Sequence, residues 1–414
     1  MNHRRSRLLF LSQSLPFPPH SGVTNRTYNL LRQLQVEFDV TLLAFSRRNH
    51  QPDAAARGSA RDALAAELTR VREPVTIASE NSRFEQVLSH GLSVLTARPY
   101  TYFDYGSRAL KRQLAEELNG QPPGLVHMDS LDLHRWLDQI PGGSPVACTH
   151  HSIESELLRL RADRIRPRAL GAYMNLQASF IERVEKRLCP RFALNVMMSD
   201  LDGERLRMLA PGSKTLTVAN GVDTEFFTPG EGDSAIGGRV VFLGPTYMFP
   251  NRDGLDFFLS EIWPSVRRGV PDATLHTIGK NQPQDKHRYQ AAPGVTCHGY
   301  VPDIRPHMLQ ASCSIVPLRV GGGTRLKILD AWAMGRAVVS TSIGAEGLDV
   351  HDGENALIRD NPGEFAEAVT RVLRDRELRL KLERNARRTA VDVYSWDRIG
   401  ATMREAYRAL LAGG

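Results

Sequence analysis

The chain has 414 residues, more than one hydrophobic core normally serves, and this length predicts two domains. Its 41% hydrophobic and 24% charged residues are typical of a globular protein, and no apolar run approaches the roughly 18 residues of a membrane-spanning helix. The formal charge of +7 favours anionic partners. Without zinc-finger spacing, RNA-binding aromatic motifs or basic heptads, we do not expect nucleic acid among them.

The N-terminal part of the chain alternates predicted strands and helices. The segments "RLLFLSQ" (7–13) and "VTLLAF" (40–45) are predicted strands, and the helical periodicity of 24–38 joins them into a β-α-β unit. Two further strands are predicted in "LVHMDS" (125–130) and "PVACTHH" (145–151). Such a unit implies a parallel sheet with right-handed crossovers.

The first residues, "MNHRRSRLLFLSQSLPF" (1–17), are basic and then apolar, as in a signal peptide. The apolar part is short, has no small-residue cleavage site and continues into the strand–turn pattern, so we expect a cytoplasmic protein. Its widely separated cysteines have no CxxC or Cys/His ligand spacing, which predicts reduced thiols rather than a disulfide framework or a zinc site. These cysteines are Cys148, Cys189, Cys297 and Cys313.

Helical periodicity dominates the rest of the first half. Residues 51–120 are polar and helical with weak strand signals, and 154–191 is helical and rich in arginine. The arginines of 158–191 form either an ordinary solvated helix face or a basic face that meets an anionic membrane. Both interpretations stay open at this point.

The segment 193–209 predicts a strand followed by a helix. Its Asp200 and Asp202 have the spacing of a metal-binding DxD motif, but Ser199 and Asp202 also have the spacing of a helix-capping pair. The capping interpretation is favoured, and no metal site is expected here.

A second series of strands and helices follows the small, flexible segment 229–238. This segment predicts a linker between an N-terminal domain at 1–228 and a C-terminal domain at 236–392. Short strands separated by helices predict a second doubly wound sheet, and the default ligand site is the cleft between the two domains, beyond the carboxyl ends of the strands. The predicted strands are 239–244, 273–279, 295–301, 313–319 and 337–341, and the predicted helices lie near 253–267, 304–311, 324–334 and 363–373.

The window "GGGTRLKILDAWAMG" (321–335) has the residues of an anion site. Its glycines let backbone N–H groups approach an oxyanion, the start of the following helix adds unpaired donors, and Arg325 and Lys327 add full positive charges. Asp330 lies far enough along the helix to accept from sugar hydroxyls of the same ligand. The window is neither a P-loop nor a dinucleotide fingerprint. Its charged side chains could also be an ordinary solvated helix surface.

Four segments together resemble glycosyltransferase family 4, whose members are retaining, nucleotide-sugar-dependent enzymes with two Rossmann-like domains (the GT-B fold). They are "NGVDTEFFTP" (220–229), "VVFLGPTYMFPNRDGLDFF" (240–258), 317–358 around the glycine-rich window, and "YSWDRIG" (394–400). The first loop is similar to that of bacterial members that build exopolysaccharide or lipid-linked glycans. The resemblance implies transfer of a sugar from a nucleotide-diphosphate donor to a glycan or lipid-linked acceptor, without a metal cofactor. It also implies that the terminal helix, about 393–414, packs back on the first domain.

The resemblance assigns donor-site roles within the glycine-rich window. Family members often have two Glu residues separated by seven positions, and the second position here is Asp330, which would hold the nucleotide ribose. The first position falls on Gly322, so we expect backbone N–H groups of Gly322, Gly323 and Thr324 to contact the sugar or phosphate instead. This departure from the family pattern leaves the donor sugar open.

Arg325 and Lys327 are expected to neutralise the leaving diphosphate. Many relatives place an Arg/Lys pair after the first strand of the second domain, where this chain has only Arg252. Cleavage of a sugar–phosphate bond leaves negative charge on the departing oxygen, and these two cations would stabilise it.

The resemblance also assigns residues outside the window. A histidine after "PVACTHH" would meet the donor sugar's primary hydroxyl, and His150 and His151 both fit, with His151 slightly favoured. A surface or core histidine is the alternative. Gly22 in the first loop and Gly244 in the second domain would let their loops close over the diphosphate, while Glu346 lies near the cleft without an assigned role.

Two other functions are consistent with the same fold. A nucleotide-sugar epimerase would need acid/base residues at the sugar carbon and no acceptor. A non-catalytic nucleotide-sugar-binding protein is conceivable because Gly322 replaces an acidic residue. We favour the glycosyltransferase, acting in cell-surface polysaccharide or glycan biosynthesis, either in the cytoplasm or peripherally at the inner face of the membrane.

Overall fold

The computed structural model describes residues 5–120, 122–163, 165, 167–230, 232, 234–320 and 325–413. The chain divides into two compact units. The first comprises Met1–Ala219 together with Ile399–Gly414, and the second comprises Asn220–Arg398. Within the described ranges, no helix combines the length and the apolar character needed to cross a membrane.

The first unit is built on a parallel sheet of eight strands. Its strand order is β3-β2-β1-β5-β6-β7-β8, with β4 also paired to β2. The register aligns Phe10 with Leu42 on one side and with His127 on the other. The strands are β1 (Arg7–Ser12), β2 (Asp39–Ser46), β3 (Arg70–Val71), β4 (Val75–Thr76), β5 (Leu125–Met128), β6 (Val146–Thr149), β7 (Leu194–Met197) and β8 (Thr215–Thr217).

Helices of the first unit follow its strands and bury their apolar faces against the sheet. The segment 154–191, predicted to be helical, forms two helices, and the second of them starts directly after Pro167. The helices are α1 (Gly22–Gln35), α2 (Ala54–Ala65), α3 (Ala78–Asn81), α4 (Arg83–Thr96), α5 (Thr101–Asp104), α6 (Arg108–Asn119), α7 (Glu154–Ala162), α8 (Arg168–Leu188) and α9 (Asp200–Leu209), with 3₁₀ segments at Leu131–Gln139 and Cys189–Arg191.

The second unit repeats this architecture with six parallel strands in the order β11-β10-β9-β12-β13-β14. Its sheet places Phe242 beside Thr277 on one side and Ile315 on the other. All five predicted strands are present, and β14 is an additional short strand at the edge. The strands are β9 (Arg239–Leu243), β10 (Thr274–Ile278), β11 (Val295–Gly299), β12 (Cys313–Val316), β13 (Val338–Ser340) and β14 (Leu357–Ile358).

The predicted helix 253–267 contains a π-helical segment, Phe258–Ile262, in its middle. Pro264 follows this segment and has no N–H to donate to the carbonyl of Ser260, so the regular helical ladder is interrupted. The helices are α10 (Phe249–Phe257), α11 (Trp263–Gly269), α12 (Pro283–Gln290), α13 (Arg305–Leu309), α14 (Leu326–Ala333), α15 (Ser342–Ala345), α16 (Pro362–Arg374), α17 (Arg376–Asp392) and α18 (Trp396–Ala412).

Each sheet has its own hydrophobic core. Leu9, Val126 and Trp136 belong to the core of the first unit, and Phe242, Phe258 and Phe365 belong to that of the second. In each sheet the strand order reverses at one place, between β1 and β5 or between β9 and β12, as in Rossmann-like doubly wound domains. The predicted fold class, two tandem Rossmann-like α/β domains, is confirmed.

The second unit begins before the predicted linker at 229–238. The preceding segment is held by the helices of its own unit. Gly221 lies against the ring of Trp396, where an added Cβ would come within 2.7 Å, and Arg387 donates to the carbonyl oxygens of Thr224 and Phe227. These contacts explain why the change of unit falls at Asn220 rather than in the glycine-rich segment.

The terminal helix α18 contributes its last part to the first unit. Tyr407 is fully buried and hydrogen-bonded to Nδ1 of His127 in β5. Arg404 donates to the carbonyl and the side-chain oxygen of Gln33 in α1. The part of α18 from residue 399 onward is therefore part of the fold of the first unit.

Candidate functional site

Two sheet edges are placed to meet ligands. Open α/β sheets bind ligands beyond the carboxyl ends of their strands, where the strand order reverses. In the first unit that place lies after β1 and β5, and in the second it lies after β9 and β12. Residues that follow these strands and their neighbours are the candidates.

Gly244 directly follows β9 and packs against Asn251 at the start of α10. Its φ is +154°, and a Cβ at this position would come within 2.7 Å of the Asn251 side chain. Only glycine therefore fits here without moving its neighbours. Asn251 is buried, its Nδ2 donates to the carbonyl of Pro245 (3.1 Å), and its Oδ1 accepts from Nζ of Lys327 (2.7 Å).

Lys327 joins α14 to this corner. Its half-buried ammonium lies 5.1 Å from the centre of the Phe242 ring, and in the described ranges it forms no ion pair with a carboxylate. Burial, and then the nearby charge of Arg325, lower the pKa of Lys327 to about 7. An anion bound beside Nζ would favour the charged form and raise that pKa again.

Arg325 is buried at the N-terminal boundary of α14. Its Nε and Nη2 donate to the carbonyl oxygen of Ile343, at 3.3 and 3.0 Å. Burial lowers the pKa of Arg325, and the charge of Glu346 opposes this effect. Glu346, which had no role from the sequence, is thus an electrostatic neighbour of Arg325.

Asp330 lies one helical turn after Lys327 and is half-buried. Burial raises the pKa of Asp330 to about 7, so near neutral pH its carboxyl group exists in both protonation states. It can therefore accept or donate a hydrogen bond to a ligand hydroxyl. Gly322, Gly323 and Thr324 lie outside the described residues, and their predicted backbone contacts stay predictions.

The two candidate histidines after β6 have different environments. His150 is buried, and its Nε2 donates to Oδ1 of Asn195 (2.9 Å), whose Nδ2 donates to the carbonyls of Cys189 and Lys214. Burial lowers the pKa of His150 to about 4, although the hydrogen bond to Asn195 acts in the opposite direction. His150 thus ties β6 to β7 as a neutral core residue.

His151 is partly accessible, with 16% of its side chain exposed. Its Nε2 lies 3.0 Å from the carbonyl oxygen of Asp129. Because a carbonyl only accepts, Nε2 carries the proton and Nδ1 keeps its lone pair. Burial lowers the pKa of His151, and the charge of Asp129 opposes this effect. Of the pair, His151 is the one that can meet a ligand.

Asp129 is a residue of this edge that the sequence analysis missed. It follows β5, is fully buried, and its Oδ2 accepts from Thr27 (2.7 Å) and Ser12 (3.2 Å). Burial alone would raise the pKa of Asp129, but His127, His151 and Thr27 outweigh it and the net shift is downward. An acidic residue directly after a buried strand was the signal available in the sequence.

A buried arginine supports the same edge from α1. Arg26 donates to the carbonyl oxygens of Val218 (2.7 Å) and Ala219 (2.8 Å). Burial lowers the pKa of Arg26 to about 10, and the charge of Asp129 opposes this effect. Arg26 therefore links the start of α1 to the segment after β8.

Gly22 is the first residue of α1 and is not part of a loop. The helix starts two positions before the predicted 24 because Ser21 and Thr24 form a complete capping box. Gly22 is exposed at the N-terminus of a 14-residue helix. The prediction placed Gly22 in a loop that closes over the diphosphate, and this placement is wrong because Gly22 is helical.

A cavity of about 830 Å³ lies in the first unit, beside the residues that follow β2 and β5. Asp104, Asp132 and Thr101 give it polar walls, and Oδ1 of Asp104 and Oγ1 of Thr101 are buried without a hydrogen-bond partner in the described structure. Such acceptors are typical of a site for a ligand with several hydroxyl groups. The residues that line this cavity lie between positions 47 and 177. No sequence motif in that range had indicated a binding site.

Asp200 and Asp202 lie in the first turn of α9, which is capped by Ser199, as the favoured interpretation predicted. The Ser199 side chain accepts from the backbone N–H of Asp202 and caps α9, while Asp200 accepts from Thr217. Across the described ranges, no group of three or more His, Cys, Asp or Glu side chains is arranged to hold a metal ion.

Family models match most of the chain. Residues 20–226 match the model described as Glycosyltransferase Family 4, which is half of the chain, and 237–375 match the model described as Glycosyl transferases group 1. An uncharacterized 44.6 kDa protein in the cps region of Klebsiella pneumoniae is 30% identical over 139 residues. That alignment covers 32% of this chain and 36% of the relative, so it spans about a third of each.

Solved structures match over nearly the whole length. HepE of Anabaena in complex with UDP has a TM-score of 0.67 at 15% identity, over 97% of this chain and 100% of that chain. Sucrose-phosphate synthase from Thermosynechococcus elongatus has a TM-score of 0.69 at 16% identity, over 99% and 100%. The lipopolysaccharide outer core galactosyltransferase WaaB has a TM-score of 0.59 at 12% identity, over 97% and 99%. At these identities the similarity shows the fold, while the family models show the family: this chain belongs to glycosyltransferase family 4 and has the GT-B fold.

Proposed function

We propose that the protein transfers a sugar from a nucleotide-diphosphate donor to an acceptor hydroxyl with retention of the anomeric configuration. The observation that carries the proposal is the Lys327 ammonium, half-buried beside Gly244 at the carboxyl edge of β9. A cation held there without a carboxylate ion pair in the described ranges suits the phosphates of a donor.

The donor diphosphate would bind at this corner of the second unit. Lys327 and Arg325 supply positive charge, and Asp330 lies one turn further for the ribose hydroxyls. HepE of Anabaena forms crystal-structure complexes with UDP, and with UDP and glucose. These complexes support a nucleotide sugar as the donor of this chain.

In the proposed reaction, the acceptor oxygen bonds to the anomeric carbon on the face from which the diphosphate departs. The bond from the anomeric carbon to the phosphate oxygen breaks, and that oxygen takes the acceptor proton. Arg325 and Lys327 stabilise the charge left on the diphosphate, so the proposal requires no metal ion. His151, whose side chain is partly exposed and whose Nδ1 keeps its lone pair, would meet a hydroxyl of the donor sugar.

The cavity in the first unit is the proposed acceptor site. Its buried carboxylate and hydroxyl acceptors suit a saccharide, and Tyr100 and Tyr173 add aromatic surface. The relative in the cps region of Klebsiella pneumoniae supports a role in cell-surface polysaccharide biosynthesis. A lipid-linked acceptor, with peripheral contact to an anionic membrane, is part of the same proposal.

The test is release of free nucleotide from a panel of UDP-, GDP- and ADP-sugars. We expect slow donor hydrolysis with one nucleotide and its loss in the Arg325→Ala/Lys327→Ala variant, because the leaving diphosphate then lacks its counter-charges. Lys286→Ala, which removes an exposed cation of the same unit, is the matched control and should keep the activity.

Other results separate the alternatives. Nucleotide-sugar binding without turnover, even with added acceptors, would indicate a binding protein. Conversion of one sugar nucleotide into its epimer would indicate an epimerase. If no nucleotide sugar binds, the assignment of the Lys327 corner is wrong.

A further inference from the structure

The helix α4 (Arg83–Thr96) has its amphipathic character reversed. Its buried residues are the polar Ser89 and Ser93, and Ser93 accepts a hydrogen bond from Gln177 of α8. Its apolar residues point outward instead. We call these exposed residues the α4 stripe. They are Phe84 (72% exposed), Val87 (71%), Leu88 (41%), Val94 (48%) and Leu95 (83%).

This stripe is continuous along the helix. At about 100° of rotation per residue, its members fall within one face that also contains Gly91. A helix on the surface of a globular domain normally turns its apolar face toward the core, because exposing apolar surface to water costs about 25 cal/mol per Å². A contiguous exposed apolar face marks an interaction surface.

The stripe adjoins the acceptor cavity. Gln86 and His90 of α4 line that cavity, and in the helical projection they lie on the flank next to Val87 and Val94. Across the cavity, Leu158 and Leu170 line it from α7 and α8. Asp104, Asp132 and Thr101 give the same cavity its polar walls. The combination fits an amphiphile with a hydroxyl-rich head and an apolar tail.

Exposed arginines lie at both ends of α4 and beside the cavity. Arg83 starts α4 and Arg98 follows its end, while Arg161 lines the cavity and Arg168 starts α8. Glu85 is the acidic residue of α4. The chain as a whole carries +7. A second copy of this chain would bring the same positive charge to the contact, whereas an anionic lipid surface complements it.

We propose that the α4 stripe inserts into the interface of an anionic lipid surface and that the cavity on its flank receives the head group of an acceptor anchored there. The role of the cavity as a head-group site rests on the proposed function. Lipid binding by α4 is measured without any transferase assay, so a failure of the membrane contact can be distinguished from a failure of the proposed function. The sequence suggested a membrane contact through the arginines of 158–191. The present proposal assigns the main contact to the apolar face of α4 instead.

The experiment is sedimentation with vesicles of phosphatidylcholine and phosphatidylglycerol at low salt, using the full chain. We expect the wild type to bind, and Val87→Ser/Leu95→Ser to lower the partition coefficient about tenfold or more, because two inserted side chains are lost. Met208→Ser is the matched control, since Met208 on α9 is 75% exposed in the same unit, and it should bind like the wild type.

A site-specific reporter supports the same test. In Phe84→Trp the new indole should shift its emission to the blue on addition of these vesicles, whereas Met208→Trp should show no shift. Equal binding by the stripe variant, or no vesicle binding by the wild type, would overturn the proposal. So would a wild-type dimer that the stripe variant converts to a monomer, because the occupant would then be a second copy of the chain.

Discussion

Adjacent histidines in the first unit have separable roles. His150 is a buried hydrogen-bond donor to Asn195, while the partly exposed His151 donates to the carbonyl oxygen of Asp129. The sequence placed both side by side after a strand, and only their burial and hydrogen-bond partners in the folded chain distinguish them.

Replacing each histidine with alanine should therefore affect different properties of the protein. His150→Ala leaves Oδ1 of Asn195 without its donor and should lower the free energy of unfolding by about 2 kcal/mol. His151→Ala should change stability less and lower donor turnover about tenfold or more. Urea unfolding and nucleotide release measure the two quantities, and equal effects of both variants would contradict these assignments.

Asp330 gives the protein a pH-dependent stability term. Its pKa is about 7 in the folded chain against an ordinary 3.8, so the folded state holds a proton that the unfolded state has lost. The cost of ionising this carboxyl group is absent below about pH 4, grows as pH rises, and is complete above about pH 7.

Asp330→Asn should remove that cost. The variant should become more stable than the wild type as pH rises from 4 to 8, by about 2 kcal/mol at pH 8 after allowing for solvent screening. Chemical unfolding at several pH values measures the difference. Asp272→Asn, at an exposed position, should show no such trend. The same Asp330→Asn variant should bind nucleotide more weakly if Asp330 holds the ribose.

At the scale of elements, α18 stabilises the first unit through a polar contact as well as through its apolar face. Tyr407 is hydrogen-bonded to His127, whose ring stacks on Phe10 at 4.3 Å. The other ring nitrogen of His127 faces Thr149 (3.2 Å). Helix α18 thus contacts β5, a central strand of the sheet in the first unit.

Tyr407→Phe should leave Nδ1 of His127 buried without its partner. We expect the free energy of unfolding of the first unit to fall by about 1–3 kcal/mol. Tyr300→Phe, at a 75% exposed position, is the control and should be neutral. A Tyr407→Phe variant as stable as the wild type would show that this contact contributes little.

For the whole molecule, the proposed donor corner lies entirely in the unit Asn220–Arg398. If UDP binds there, it should stabilise this unit selectively, by about 2.7 kcal/mol at a concentration of 100 times Kd. Thermal unfolding followed by calorimetry should show the transition of this unit moving upward with UDP. The effect should be lost in Arg325→Ala/Lys327→Ala, and a shift confined to the other unit would place the nucleotide elsewhere.

The sequence by itself determined the fold class and the longer strands of both sheets. Buried strands such as 239–244 are nearly continuous apolar runs, and the helices between them have a 3.6-residue period, so local physics was sufficient. The cluster of cations after β12 was equally visible, because glycines and charges adjacent in sequence stay adjacent in space. Periodicity alone did not reveal the interruption of the helix predicted near 253–267, where Pro264 follows a π-helical segment.

Only the tertiary structure decided which distant residues share a site. Asn251 meets Lys327, and Asp129 meets His151. The cavity gathers residues from five α-helices between residues 78 and 188. The outward apolar face of α4 was likewise hidden, because the sequence shows an amphipathic helix but not which face is turned to solvent. Periodicity fixes which residues lie together on a helix, whereas packing against the rest of the chain fixes what those residues touch.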